Sequence, residues 1–303
     1  MPPFLHRRTT LLRLSAISVA PWLPFALLAE APSSASRSAL VIGNSQYRAL
    51  PTLKNPVNDA AALSARLGEM GFAVTARFDT DKSAFESAIG DFVARVGKDR
   101  SVGLFYFAGH GLQLNWRNYL IPVDATLRRA EDVPRNAVDL KTLLDGLNRA
   151  RNPMNIVILD ACRDNPFSTD LGTGKGLSQI DAPVGTLLAY ATAPGNSASD
   201  GEGDNGLYTE HLLKEIRTPD AKIEDVFKRV RLNVRRASNG RQIPWESTSL
   251  EDDFYFVPGA QPGKLTKEEI DRRYAEELAL WQKVESKAET ASRALRSGSG
   301  QAQ

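Results

Sequence analysis

The chain has one cysteine, Cys162, set in the stretch "VILDACRDNPF", and three histidines, His6, His110 and His211. A single thiol cannot close an internal disulfide. It can be a small buried hydrophobe, a metal ligand, half of an intermolecular bridge or a nucleophile. A nucleophilic thiol needs a base or an imidazolium beside it to form or stabilise the thiolate. His211 lies inside "LYTEHLLKEI" and reads as a partly exposed helix residue, whereas His110 sits between Gly109 and Gly111 at the end of the apolar run "SVGLFYFAGHG". Glycines let a backbone approach a ligand closely, and the Gly111 amide is a candidate donor to a developing oxyanion. The spacing therefore offers a Cys162–His110 dyad, set against the plainer reading of His110 as a cap on a strand turn.

Other chemistries fail on residue type. Zinc needs more ligands than one cysteine and dispersed histidines provide, so no metal site is expected. "GTGKGLS", residues 172–178, lacks the serine or threonine directly after the lysine that a phosphate loop requires. "DGEGDNGLYTEH" has Asn205 where a calcium loop needs its turn glycine and His211 where it needs the terminal glutamate.

Composition sets the compartment and the partners. The 303 residues carry a formal charge of +2 and 42% hydrophobic residues, enough for one substantial core. Residues 1–35 read as an export signal or N-terminal anchor. A basic stretch with Arg7, Arg8 and Arg13 precedes an apolar run from Leu14 to Leu28, broken by Pro21 and Pro24, and then small residues. The leader's three arginines and Glu30 account for the net charge, so the remainder is near neutral and no nucleic-acid partner is expected. The expected location is the periplasm or beyond.

The elements that must position Cys162 and His110 follow from periodicity. Apolar strands are expected at "RSALVIGN", "FAVTARF", "SVGLFYFAGHG", "MNIVILDAC" and "VGTLLAYATA", with "DFYF" (253–256) closing the sheet. Helices are expected at 58–70 with Gly71 as C-cap, and at 81–96, 137–149, 207–217 and 223–237. Continuous apolar strands alternating with helices predict an α/β fold, a mostly parallel central sheet with helices on both faces. Such sheets bind ligands beyond the carboxyl ends of their strands, where His110 and Cys162 fall. The domain is bounded at 36–258. Residues 259–303 form a linker and a C-terminal amphipathic helix at 266–296, with one stripe of Ile270, Tyr274, Leu278, Trp281, Val284, Ala288, Ala291 and Leu295 suited to contact a partner or the domain itself.

Taken in order, "GLFYFAGHG", "NYLIPVDA", "VILDACRDNPF", "LLAYATAPG", "NGLYTEHLL" and "DFYF" resemble the bacterial caspase-like peptidases, the metacaspase and orthocaspase branch of the caspase-hemoglobinase fold. The resemblance covers residues 37–257 and implies a caspase-like three-layer sandwich. It implies that Cys162 is the nucleophile and His110 the general acid/base of a cysteine endopeptidase. The Gly111 and Cys162 amides would form the oxyanion hole, and Asp59 and Asp160 would bind an arginine or lysine side chain of protein or peptide substrates. As a residue, Asp59 reads equally as a first-turn helix acid. No cofactor is implied, and calcium activation is left open. In the loop from Asn165 to Ala182 the resemblance suggests self-cleavage, after Lys175 or Arg163. Two departures are visible: Arg163-Asp164-Asn165 follows the cysteine where His-Ser-Gly is usual, and Ala108 stands where some relatives have serine. The rival class is a catalytically weak module of the same fold that binds partners through the 266–296 helix.

Overall fold

The computed structural model describes residues 36–162, 177, 180–193, 203–259 and 272. The leader, "RDN" at 163–165, Lys175 and, apart from Arg272, the 266–296 helix lie outside the described residues. All described residues belong to the unit 35–303.

In chain order the elements are β1 (Arg37–Gly43), α1 (Pro56–Glu69), β2 (Phe72–Phe78), α2 (Lys82–Asp99), β3 (Val102–Leu114), β4 (Arg117–Leu120), α3 (Val133–Asn136), β5 (Val138–Asp139), α4 (Leu140–Ala150), β6 (Asn155–Cys162), β7 (Thr186–Tyr190), α5 (Leu207–Glu215), α6 (Ile223–Ala237) and β8 (Trp245–Thr248). The main sheet runs β2-β1-β3-β6-β7-β8. It is parallel from β2 to β7, and β8 adds antiparallel at the edge. The fold is a three-layer α/β sandwich with a mostly parallel sheet, as the sequence predicts.

Alternation along the strands explains why both faces are covered. Val41, Leu104, Tyr106, Ile156, Ile158 and Leu187 share one apolar cluster with Leu63 of α1, Leu212 of α5 and Val230 of α6. Their neighbours Leu40, Ile42, Phe105, Phe107, Val157 and Leu188 pack on Phe85 and Phe92 of α2 and Leu143 of α4. The strand centres Ala39–Ile42, Leu104–Phe107, Ile156–Leu159 and Leu187–Tyr190 are apolar at every position because each face meets a helix layer. Local signals set the ends: Pro56 occupies the first turn of α1, Gly71 follows that helix at φ +81°, and the Asp81 carboxylate caps α2 by accepting from the Ala84 amide at 2.8 Å.

The structure corrects several expectations. "DFYF" is not the closing strand, a role taken by β8, and Asp253–Phe256 makes only an isolated bridge between Tyr255 and Lys222. Its carbonyls are engaged otherwise: the Arg37 guanidinium donates to Phe256 O and Tyr255 O, each at 2.9 Å, and lies over the Phe254 ring at 5.0 Å. The expected helix at 137–149 opens as the short strand β5 before α4 begins. The strand expected at 184–193 is confined to Thr186–Tyr190, and the β3–β4–β5 antiparallel extension is additional.

Three stability outcomes follow. A Cβ at Gly43 would collide with the Pro56 carbonyl and stand 2.7 Å from Ala60 Cβ, whereas one at Gly90, exposed in mid-α2, meets nothing within 4 Å. Gly43→Ala should therefore lower unfolding stability by about 1–3 kcal/mol and Gly90→Ala raise it by about 0.5–1 kcal/mol, read from urea midpoints. Arg37→Lys, which keeps the charge but loses the planar fork, should cost about 1–3 kcal/mol in the same assay.

Candidate active site

His110 and Cys162 are paired residues of adjacent parallel strands. The β3–β6 register runs from Gly103 opposite Asn155 to His110 opposite Cys162, where β6 ends. In-register neighbours on paired strands stand about 5 Å apart along the hydrogen-bonding direction. His110 itself is not a strand terminus. β3 continues to Leu114, but its pairing with β1 stops at Ala108, and beyond His110 it turns into the antiparallel β4 pair. Both residues thus fall where the parallel sheet gives out.

His110 is only 6% exposed, and its imidazole is held by the loop after β1. Its Nε2 lies 2.8 Å from the Pro51 carbonyl. A carbonyl only accepts, so Nε2 carries the proton and, in the neutral ring, Nδ1 is the basic nitrogen. Nδ1 is buried. The Tyr47 ring lies against the imidazole, with centroids 4.5 Å apart at 55°. Its hydroxyl accepts from the His110 amide at 2.8 Å and donates to the Ile121 carbonyl at 3.3 Å. The His110 carbonyl meanwhile accepts from the Ile121 amide at 3.0 Å. The tyrosine hydroxyl is therefore spliced into the β3–β4 ladder between an N–H and a C=O that would otherwise bond each other.

That splice requires glycine next door. Gly109 has φ +153°, and a Cβ there would stand 2.5 Å from Tyr47 Oη and 2.9 Å from Phe107 Cζ. The His110 amide and carbonyl both face β4, so strand alternation turns the Gly111 amide to the β6 side, toward the strand that ends in Cys162. The loop itself is fixed by Asn44, whose Oδ1 accepts from the Thr80 amide at 2.9 Å and whose Nδ2 donates to Ile121 O at 3.1 Å. Asp79 adds a second tie by accepting from the Ser45 amide at 2.7 Å and the Gln46 amide at 2.9 Å.

Asp59 and Asp160, from different elements, converge on the start of α5. Asp59 is a first-turn residue of α1, as the helix-acid reading has it, and is 97% buried. Asp59 Oδ1 accepts from the Gly206 amide at 2.9 Å, and Asp160 Oδ2 accepts from the Thr209 hydroxyl at 2.7 Å. A Cβ built on Gly206 would lie 3.1 Å from Asp59 Oδ2 and 3.9 Å from Asp160 Oδ2, which puts both carboxylates around one small space. Burial and these negative neighbours push the Tyr106 phenol well above its ordinary range, and burial with Asp160 does the same to Tyr208. His211 is elsewhere in character: it sits in mid-α5, and burial followed by Lys214 lowers its pKa.

Sequence reasoning missed Tyr47, Pro51, Tyr106, Thr209 and Gly206. Tyr47 and Pro51 sit in the turn-rich "SQYRALPTLKNP" with no chemical signal, because Pro51 acts through its carbonyl and Tyr47 through one hydroxyl. "NGLYTEHLL" carried a family likeness but gave no hint that its glycine and threonine touch the acids.

Comparison with known proteins agrees with this arrangement at the level of the fold. A family profile described as "Caspase domain" matches residues 36–255. The chain is similar to mucosa-associated lymphoid tissue lymphoma translocation protein 1 from Homo sapiens, with 27% identity over 248 residues. The Mus musculus homolog of that protein matches with 25% identity over 246 residues. Each alignment covers 80% of this chain but only 29% of the relative, so the chain spans less than a third of their length. With the profile covering nearly the whole described sandwich, the chain belongs to the caspase-domain family of cysteine peptidases.

Proposed function

We propose that the chain is a cysteine endopeptidase of the metacaspase and orthocaspase branch, cutting protein or peptide substrates after arginine or lysine through a Cys162–His110 dyad. The observation that carries this reading is the in-register pairing of His110 with Cys162, joined to an Nε2–H···O=C bond that leaves Nδ1 as the basic nitrogen of the neutral imidazole.

The steps balance without a cofactor. Nδ1 of His110 takes the proton of the Cys162 thiol, and the thiolate sulfur attacks the substrate carbonyl carbon. The carbonyl π electrons move to oxygen, and the Gly111 and Cys162 amides stabilise that oxyanion. Collapse expels the amine, which takes the proton from the imidazolium and leaves a thioester. Water, giving a proton to His110, attacks the thioester; the acid product leaves and the thiol is restored. Pro51 O supports the imidazolium by accepting from Nε2, a part that other triads give to a carboxylate.

Asp59 and Asp160 supply the specificity in this reading. Two carboxylates around one space, Asp59 buried and Asp160 half-buried, favour a cationic side chain, and a guanidinium can meet carboxylates in a bidentate geometry. The leader supports export as the setting, on its basic stretch and apolar run.

Hydrolysis of fluorogenic peptides ending in arginine or lysine is the test. Cys162→Ala should reduce kcat/KM by at least about a thousandfold, and His110→Ala by about a hundred- to ten-thousandfold. Equal rates for wild type and Cys162→Ala on a broad peptide library would refute the peptidase reading and favour the binding-module class. Tyr47→Phe, which removes the spliced hydroxyl but keeps the ring, should cost about tenfold in kcat/KM. Asp160→Asn should raise KM for arginine substrates by about ten- to a hundredfold, measured on the same peptides.

A further inference from the structure

Both acids of the proposed basic pocket are held by one turn of one helix. Gly206 is the N-cap residue of α5 and gives its amide to Asp59, while Thr209, fully buried, gives its hydroxyl to Asp160. Asp59 comes from α1 and Asp160 from β6, so α5 is the element that meets both.

Counting protons fixes the direction of the network. Thr209 has one hydroxyl hydrogen, and an ionised carboxylate only accepts, so that hydrogen lies on the 2.7 Å contact to Asp160 Oδ2. The Tyr106–Thr209 contact, also 2.7 Å, must then use the Tyr106 hydrogen. Burial and the nearby acids hold that phenol in its protonated form. Tyr106 Oη also stands 3.3 Å from Asp160 Oδ2, a longer arm of the same arrangement. The result is a chain, Tyr106 O–H to Thr209 O–H to Asp160, in which each donor polarises the next. Hydrogen bonds donated to a carboxylate favour its charged form and offset the repulsion between two acids facing one gap.

Gly206 contributes by absence as well as by its amide. Its φ of −62° is open to any residue, so conformation does not demand glycine there. Space does: a methyl at 206 would enter the gap, 3.1 Å from Asp59 Oδ2.

We propose that the first turn of α5 is the specificity clamp of this pocket. Thr209, backed by Tyr106, is the positioning residue for Asp160; Gly206 positions Asp59 and leaves room between the acids for a guanidinium or ammonium group. This proposal rests on reading the pocket as the site of the substrate's basic side chain.

The test separates the pocket from the chemistry. Agmatine, a guanidinium ligand with no scissile bond, is titrated calorimetrically into full-length Cys162→Ala protein, alone and with changes on α5 and β3. Thr209→Val should weaken binding about tenfold, Thr209→Ser should restore it to within about twofold, and Gly206→Ala should weaken it at least as much as Thr209→Val. Tyr106→Phe added to Thr209→Val should cost little further, because Tyr106 acts through Thr209. Urea midpoints verify that each variant is folded. In the protein that retains Cys162, Thr209→Val should place its loss in KM for arginine peptides rather than in kcat.

Equal agmatine affinity with threonine or valine at 209, or no agmatine binding at all, overturns the clamp. Binding that depends on Thr209 in a protein that hydrolyses no peptide upholds the clamp and sinks the peptidase reading. Cleavage after arginine with a KM indifferent to Thr209→Val does the reverse.

Discussion

The structure depends on the register of two neighbouring parallel strands. β3 and β6 are paired over eight positions, ending with His110 opposite Cys162. A slip of one residue would move every side chain of a strand to the other face, exchanging residues packed under α2 and α4 for those packed under α1, α5 and α6. Because both faces are filled, the core itself forbids that slip. The pairing of the imidazole strand with the thiol strand is thus a consequence of apolar packing in the middle of the sheet, several residues away from either group.

Register alone brings the residues together; the loop after β1 gives one of them a chemical direction. Asn44 and Asp79 tie that loop to the sheet edge, Tyr47 enters the β3–β4 ladder, and Pro51 O takes the Nε2 proton of His110. Gly109 permits this by offering no Cβ where the tyrosine hydroxyl must sit. The imidazole is therefore oriented by main-chain groups and one phenol. Two residues before Cys162 on β6, Asp160 is drawn into the network of Tyr106 and α5.

Much of this is legible in the sequence. Continuous apolar runs identify β1, β3 and β6, alternation identifies β2, and the glycines around His110 mark it off from His211. The acids at 59 and 160 were named from a family likeness, and the structure places both against the start of α5. What escaped was non-local or main-chain in origin. "DFYF" has the pattern of a strand, yet Arg37, more than two hundred residues away in sequence, occupies its carbonyls. β8 reads poorly because Trp245–Thr248 lies at an edge and alternates only partly. Pro51 was invisible because a carbonyl is common to every residue, and Tyr47 because its hydroxyl acts on the backbone.

The central claim is that Cys162 is a nucleophile activated by His110. It is tested most directly by covalent trapping with a peptidyl-arginine acyloxymethyl ketone, followed by intact-mass and peptide-mapping mass spectrometry. The account predicts one equivalent of label, on Cys162, formed at a rate that falls at least about a hundredfold in His110→Ala and that agmatine suppresses. Labelling of Cys162 at the same rate with and without His110, or label found elsewhere while Cys162 stays unmodified, would contradict it.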